Sequence, residues 1–322
     1  MAPERTPSGG KGPPRWTSRS IGTRVQHHIF YFLIKVGGRT SAYLLLSWVA
    51  LYYVLCRPSI RAKATPYLSR RFRKRGFSSR FIDRYRMFVA LGQVLIDRAI
   101  IGILGEKWIE VSFPDREALL HLVAEGRGVI LMTAHVGCWQ TAMASLTLME
   151  APVHLVLRRE EGDIAMHYYE HAGTKPSFGI IDPGSAMGGV IEMMQALKRG
   201  EIICVMGDRH LGSRRGAVAV NFLGDQALFP FSAFKIASAT GAPVIVLFSH
   251  KSGPAHNTLR IYGVIRVKPG LRMSDKELPS YVSQFVCALE SYTQEHPYQF
   301  FNFFDMWNND VQNSEDKEGK TR

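Results

Sequence analysis

Val129-Ile130-Leu131-Met132-Thr133-Ala134-His135-Val136-Gly137-Cys138-Trp139-Gln140 is the stretch on which the fold turns. Five mostly branched or long apolar residues lead to a small residue and a histidine, and then to a glycine. The pattern predicts a buried strand stopping before His135, a tight turn, and a helix running on to about residue 148. Open α/β sheets hold their ligands beyond the carboxyl ends of their strands. His135 is therefore placed where a functional group belongs, although a lone histidine is often only structural.

Downstream the same alternation repeats. Helices are expected over 115–125, 188–198 and 230–240, closed by Gly126, Gly200 and Gly241, as glycine commonly follows a helix end. Strands are expected over 153–157, 202–206, 243–248 and 259–264. Helices alternating with short apolar strands imply an α/β fold: a mostly parallel central sheet covered by helices on both faces. Each strand is followed by polar groups: His135 after the first, Arg158 and Arg159 after the second, Asp208 and Arg209 after the third, His250 after the fourth. Parallel strands would gather these groups along one rim, and arginine fits phosphate or carboxylate bidentately, so an anionic substrate is expected.

The chain carries a formal charge of +13 over 322 residues, unevenly spread. Residues 1–86 hold 18 Lys/Arg against Glu4 and Asp83, and the remaining residues hold 22 bases and 25 acids. The basic excess thus belongs to the N-terminal quarter. Residues 1–28 are rich in Pro, Gly, Ser and Arg and should be disordered. The stretch 40–56 has no charge over 17 residues, the lower limit for a membrane-spanning helix, and contains Tyr43, Trp48, Tyr52 and Tyr53. Eleven Lys/Arg follow within residues 57–86, centred on Arg70-Arg71-Phe72-Arg73-Lys74-Arg75. That order predicts a hydrophobic membrane-associated helix with a basic juxtamembrane segment over 29–86, contacting anionic headgroups, and a cytoplasmic remainder. Nucleic acid is disfavoured, because no stacking platform or recognition helix accompanies the charge. The four cysteines are widely separated, which argues against a metal site or a disulfide framework. The expected division is completed by a catalytic domain over 87–307 and a polar tail over 308–322.

Two chemistries fit the stretch. Cys138 as nucleophile with His135 as base is the weaker, since a cysteine on the following helix need not face the histidine and buried cysteine is usually inert. The other makes His135 a general base that takes the proton of a substrate hydroxyl attacking an acyl carbonyl. It requires a partner, ordinarily a carboxylate, to orient the imidazole.

His135-Val136-Gly137-Cys138-Trp139-Gln140 resembles the H-x4-D/E block of the lysophospholipid acyltransferase superfamily, most nearly the bacterial lipid A biosynthesis acyltransferase branch. Gly207-Asp208-Arg209, the later Val220-Asn221-Phe222-Leu223-Gly224 with Phe229-Pro230, and Glu295-His296-Pro297-Tyr298-Gln299-Phe300 resemble further blocks of that family in order, with Phe300 where tryptophan is usual. The resemblance covers about residues 29–307. It implies transfer of a fatty acyl chain from acyl-carrier protein or acyl-CoA to a glycolipid hydroxyl, such as a lipid A precursor. That transfer would occur at the cytoplasmic face of the bacterial inner membrane, without metal or other cofactor. By position His135 becomes the base, Gln140 stands where the acid is usual, Arg158 or Arg159 matches the family's arginine after the next strand, and Asp208 matches a later aspartate; Arg158, Arg159 and Arg209 are the residues expected to bind substrate. Phe222, Leu223, Phe229 and Phe234 are expected to line an acyl pocket, although aromatic residues so spaced also make ordinary core.

Gln140 leaves three outcomes open. The amide suffices because the thioester is already activated; or Asp208 supplies the missing charge from a neighbouring strand; or the chain binds lipid without catalysis. Acylation of a lysophospholipid or another glycolipid is the alternative within the same chemistry.

Overall fold

The computed structural model describes residues 24–139, 151–157, 178–184, 186–210, 216–272 and 276–307. Gln140, Arg158, Arg159, the helix expected up to residue 148, the basic N-terminus and the polar tail lie outside the described residues.

The chain opens with three helices, α1 (Arg24–Cys56), α2 (Pro58–Arg71) and α3 (Phe77–Leu104). Helix α1 breaks at Gly38, whose φ of 64° is reached readily only by glycine. The Ser41 hydroxyl donates to the Leu33 and Gly38 carbonyls beside the break. Beyond it, Ala42, Leu46, Ala50 and Val54 are buried at helical spacing, and Ile34, Ala42 and Leu46 pack with Ile96 and Ile100 of α3. Gly92 makes room: a Cβ there would sit 2.1 Å from the Leu46 side chain. Both α1, counted from His28, and α3 are long and apolar enough to cross a membrane, but 17% of the α1 window is buried in the protein against 50% for α3. Composition alone made α1 the membrane candidate and missed α3 as an element.

The basic run joins the helices to the rest of the protein. Arg70 and Arg73 pair with Asp225, Arg71 donates to the Thr293 and Gln294 carbonyls, and Arg75 pairs with buried Asp83. Much of this charge therefore acts inside the molecule, at the surface where α2 meets the C-terminal segments.

A seven-stranded sheet forms the centre. Its strands are β1 (Glu110–Ser112), β2 (Val129–Thr133), β3 (Val153–Val156), β4 (Gly179–Ile181), β5 (Ile202–Met206), β8 (Val244–Lys251) and β9 (His256–Ile265). They lie in the order β1-β9-β8-β2-β5-β3-β4. All neighbouring pairs are parallel except β8 with β9, so the mostly parallel expectation holds. Strand β2 is central and buried along its length, with its side chains divided between two cores. Ile130 and Met132 face α5 (Val190–Lys198), α6 (Ser232–Thr240) and α7 (Leu278–Glu295), whereas Val129 and Leu131 face α4 (Arg116–Ala124). Period-2 alternation between two apolar faces explains why the strand reads as a continuous hydrophobic run.

A separate hairpin, β6 (Ala217–Phe222) and β7 (Asp225–Pro230), turns through Leu223 and Gly224, both at positive φ. Residues 230–240 were expected to be one helix; Pro230 ends β7, and α6 begins at Ser232.

Candidate active site

The rim is built by the ladder. Strands β2 and β5 are parallel with Thr133 opposite Met206. Two residues further on, the continuation of each strand supplies one member of a dyad: His135 Nδ1 lies 2.9 and 3.0 Å from the two carboxylate oxygens of Asp208. The Asp208 side chain is fully buried, and the His135 ring is 25% exposed. An ionised carboxylate can only accept, so Nδ1 carries the proton and Nε2 is left as the basic nitrogen. Among the described residues nothing bonds Nε2.

Burial pushes the Asp208 carboxyl up, but the His135 ring and the Arg209 guanidinium outweigh it and hold the group below the usual carboxylate value. Burial pulls Arg209 down, and the Asp208 charge opposes that pull. Arg209 points along the C-terminal segment: Nε donates to the Asn302 side-chain oxygen at 3.3 Å and Nη2 to the Phe301 carbonyl at 3.3 Å.

The turn carrying His135 is held by what surrounds it. Gly137 has φ 48°, and a Cβ on it would stand 2.0 Å from the Ser249 carbonyl oxygen. Only glycine lets this turn lie against the end of β8. On its other side, Val136 bridges antiparallel to Phe300, the Gly137 N–H donates to the Gln299 carbonyl, and the Phe301 N–H donates to the His135 carbonyl at 2.7 Å. Cys138 is completely buried with Val94 and Phe301, which suits packing rather than nucleophilic attack.

The structure thus brings together His135, Asp208 and Arg209, and it sets His250 beside the turn, since the His250 Cα lies 2.8 Å from the Gly137 Cβ position. Phe222, Phe229 and Phe234 are fully buried in the core shared with α7, where Phe222 packs on Phe229, Phe300 and Trp307. Leu223 occupies the hairpin turn above them. Sequence reasoning gave no role to Gln299 or Asn302, which touch the site through the C-terminal segment. It also missed the buried pairing of Asp97 in α3 with Lys251 in β8. Gln299 stood inside a quoted block, but nothing local distinguishes an amide that bonds backbone from one in solvent. Among the described residues no cluster of His, Cys, Asp and Glu is arranged to hold a metal ion.

No curated protein matches the chain. The family model described as bacterial lipid A biosynthesis acyltransferase matches residues 35–309, which take in α1 from Lys35 onward, α2, α3, the sheet and the dyad. By that match over most of its length, the chain belongs to the bacterial lipid A biosynthesis acyltransferase family.

Proposed function

We propose that the protein is a membrane-associated acyltransferase that moves a fatty acyl chain from a carrier thioester to a hydroxyl of a lipid A precursor. The observation carrying this reading is the His135–Asp208 dyad at the carboxyl ends of β2 and β5. His135 Nε2 takes the hydroxyl proton as the alkoxide oxygen attacks the thioester carbonyl. The imidazolium that forms is stabilised by Asp208 through Nδ1. Collapse of the tetrahedral intermediate re-forms the carbonyl, breaks the C–S bond and releases the thiol, which receives the proton from Nε2. The thioester is already activated, so the exchange balances without a cofactor; acyl-carrier protein or acyl-CoA serves as donor. In this reading Asp208 fills the role that Gln140 cannot, which favours catalysis over a lipid binder without activity.

Arg158 and Arg159 follow β3 in sequence and Arg209 follows Asp208, and we assign the three to the anionic part of the substrates. The exposed apolar residues of α1, Leu44, Trp48, Tyr52 and Leu55, recur at helical spacing and suit the membrane side of the molecule, at the inner membrane with the dyad in the cytoplasm.

The test is thiol release from an acyl thioester by purified protein, with and without a lipid A precursor. Release that requires the acceptor, with acylated lipid found by mass spectrometry, and a loss of about 10²–10⁴-fold in His135→Ala, is the expected result. Release without acceptor would make the protein a thioesterase, transfer only to a lysophospholipid would change the acceptor, and no release with tight lipid binding would leave a binder.

A further inference from the structure

We infer that Gln299 is a positioning residue that fixes the His135 turn to the end of β8, resting on the proposed role of His135. The Gln299 side chain makes a two-point contact with one residue of that strand: Oε1 accepts from the Lys251 N–H at 2.7 Å, and Nε2 donates to the Lys251 carbonyl at 3.1 Å. The backbone requires this orientation of the amide, because an N–H must meet an acceptor and a carbonyl a donor. The main chain around Gln299 then pairs with the turn through two hydrogen bonds that make one antiparallel bridge. Its own carbonyl accepts from Gly137, Phe300 bridges Val136, and Phe301 donates to the His135 carbonyl.

The same segment reaches the other half of the dyad, for the Asn302 amide donates to the Asp208 carbonyl at 3.5 Å and its oxygen accepts from Arg209. It is further anchored by Tyr67, whose hydroxyl donates to the Pro297 carbonyl at 2.7 Å, and by Tyr298, whose hydroxyl donates to Asp83 at 2.8 Å. One strap therefore holds the main chain of His135 by backbone bonds and that of Asp208 through the Asn302 amide, and Gln299 is its side-chain tie to Lys251 at the end of β8. Without that tie the strap keeps its aromatic packing, Tyr67 against Phe300 at 5.0 Å between centroids, but loses its fixed distance from β8. A shift of the imidazole by even a fraction of its bond length to Asp208 misaligns Nε2, and misplacement by about 1 Å costs on the order of a hundredfold in rate.

The experiment uses the full chain labelled with ¹⁵N-histidine. The Nδ1 proton donated to Asp208 gives a far-downfield signal, assigned by its loss in His135→Gln. In Gln299→Leu that signal is expected to move or broaden away, kcat to fall about a hundredfold, and both KM values to stay within about twofold. Gln299→Glu keeps the acceptor for the Lys251 N–H but offers no N–H to its carbonyl, so it should fall between. A folded Gln299→Leu with the signal unchanged overturns the inference, as does a loss confined to KM; should this variant not fold, Gln299→Glu carries the same test. Because the signal needs no turnover, a wild-type protein that transfers no acyl chain would refute the proposed function and still leave this inference open to measurement.

Discussion

His135 and Asp208 continue the strand ladder into the site: Thr133 pairs with Met206 at a separation of 73 residues, and the histidine meets the aspartate at the same separation. The dyad is therefore set by register between two central strands rather than by the six-residue block that contains His135. Asp208→Asn should leave the fold intact and reduce kcat by about 10³–10⁴-fold, the scale on which losing the oriented carboxylate of a histidine dyad acts in a serine protease. Gln140→Glu should change the rate little. Acceptor-dependent thiol release decides it; a variant Asp208→Asn at wild-type rate would return the orienting role to Gln140.

The strand periodicity and the strand endings were legible because both are local: Val129 to Met132 is apolar throughout, and His135 follows within three residues. What faces what was not. Composition could not reveal that Asp97 and Lys251, far apart in sequence, meet in the interior, nor that Arg71 reaches the Thr293 carbonyl in α7. The long-range partner decides whether a charge is a solvated face or a buried joint, and no spacing rule carries that information. Helix α3 escaped notice for a related reason: its first turns, with Arg80, Arg84 and Arg86, fall in the basic run, while its later turns pack on α1, so the two halves read as different segments.

Asp97 is fully buried, bonded to the Tyr43 hydroxyl at 2.6 Å, paired with Lys251 and 3.4 Å from Arg39. Removing the carboxylate strands a lysine that is itself nearly buried. Asp97→Ala should lower stability by about 3–5 kcal/mol, the cost of breaking one side of a buried pair. The double change Asp97→Leu with Lys251→Met should recover part of that loss, because the lysine is no longer stranded and Arg39 keeps its bond to the Trp108 carbonyl. Thermal melting of the two variants in detergent is the measurement; equal destabilisation would mean that packing, not charge, holds α3 to β8.

His250 stacks on His296 with centroids 3.9 Å apart. Burial pulls the His250 ring down to about 4, with His296 and Arg260 reinforcing the shift and Glu295 opposing it. The unfolded chain would take up this proton near the ordinary value of 6.5, so between those limits the unfolded state binds more protons than the folded one. Stability is accordingly full above that window and falls as the pH drops through it. His250→Phe keeps a ring on His296 and removes one titrating group, so the decline of melting temperature from neutral pH towards pH 4 should become shallower. An unchanged slope would assign the acid sensitivity elsewhere.

Gly137 and Gly241 both have positive φ, 48° and 77°, but differ in surroundings. A Cβ at Gly241 meets nothing within 4 Å, whereas at Gly137 it meets the Ser249 carbonyl. Gly241→Ala should therefore cost only the left-handed backbone penalty, about 1–2 kcal/mol, with activity retained. Gly137→Ala adds a collision with main chain that no side-chain rotation relieves. It should displace the His135 turn and abolish acyl transfer. Comparable activity in the two alanine variants would show that the turn tolerates movement away from β8.

Helix α1 turns one face to α3 and leaves the other uncovered. Ile29, Phe32 and Val36 before the Gly38 break, and Leu44, Trp48, Tyr52 and Leu55 after it, are exposed, with Trp48 at 72%. Burying a large apolar side chain contributes about 1.5–3 kcal/mol, so on the proposed function three such residues would supply firm attachment to a lipid surface. Leu44→Gln, Trp48→Gln and Leu55→Gln together should leave the melting temperature near that of the parent, since these side chains support nothing inside the protein, and should move it from sedimenting vesicles to the supernatant. Charge from Lys74 and its neighbours would respond differently: high salt screens it, whereas apolar contact persists. If the triple variant still sediments in low salt and is released in high salt, the basic segment supplies the attachment and the α1 face does not.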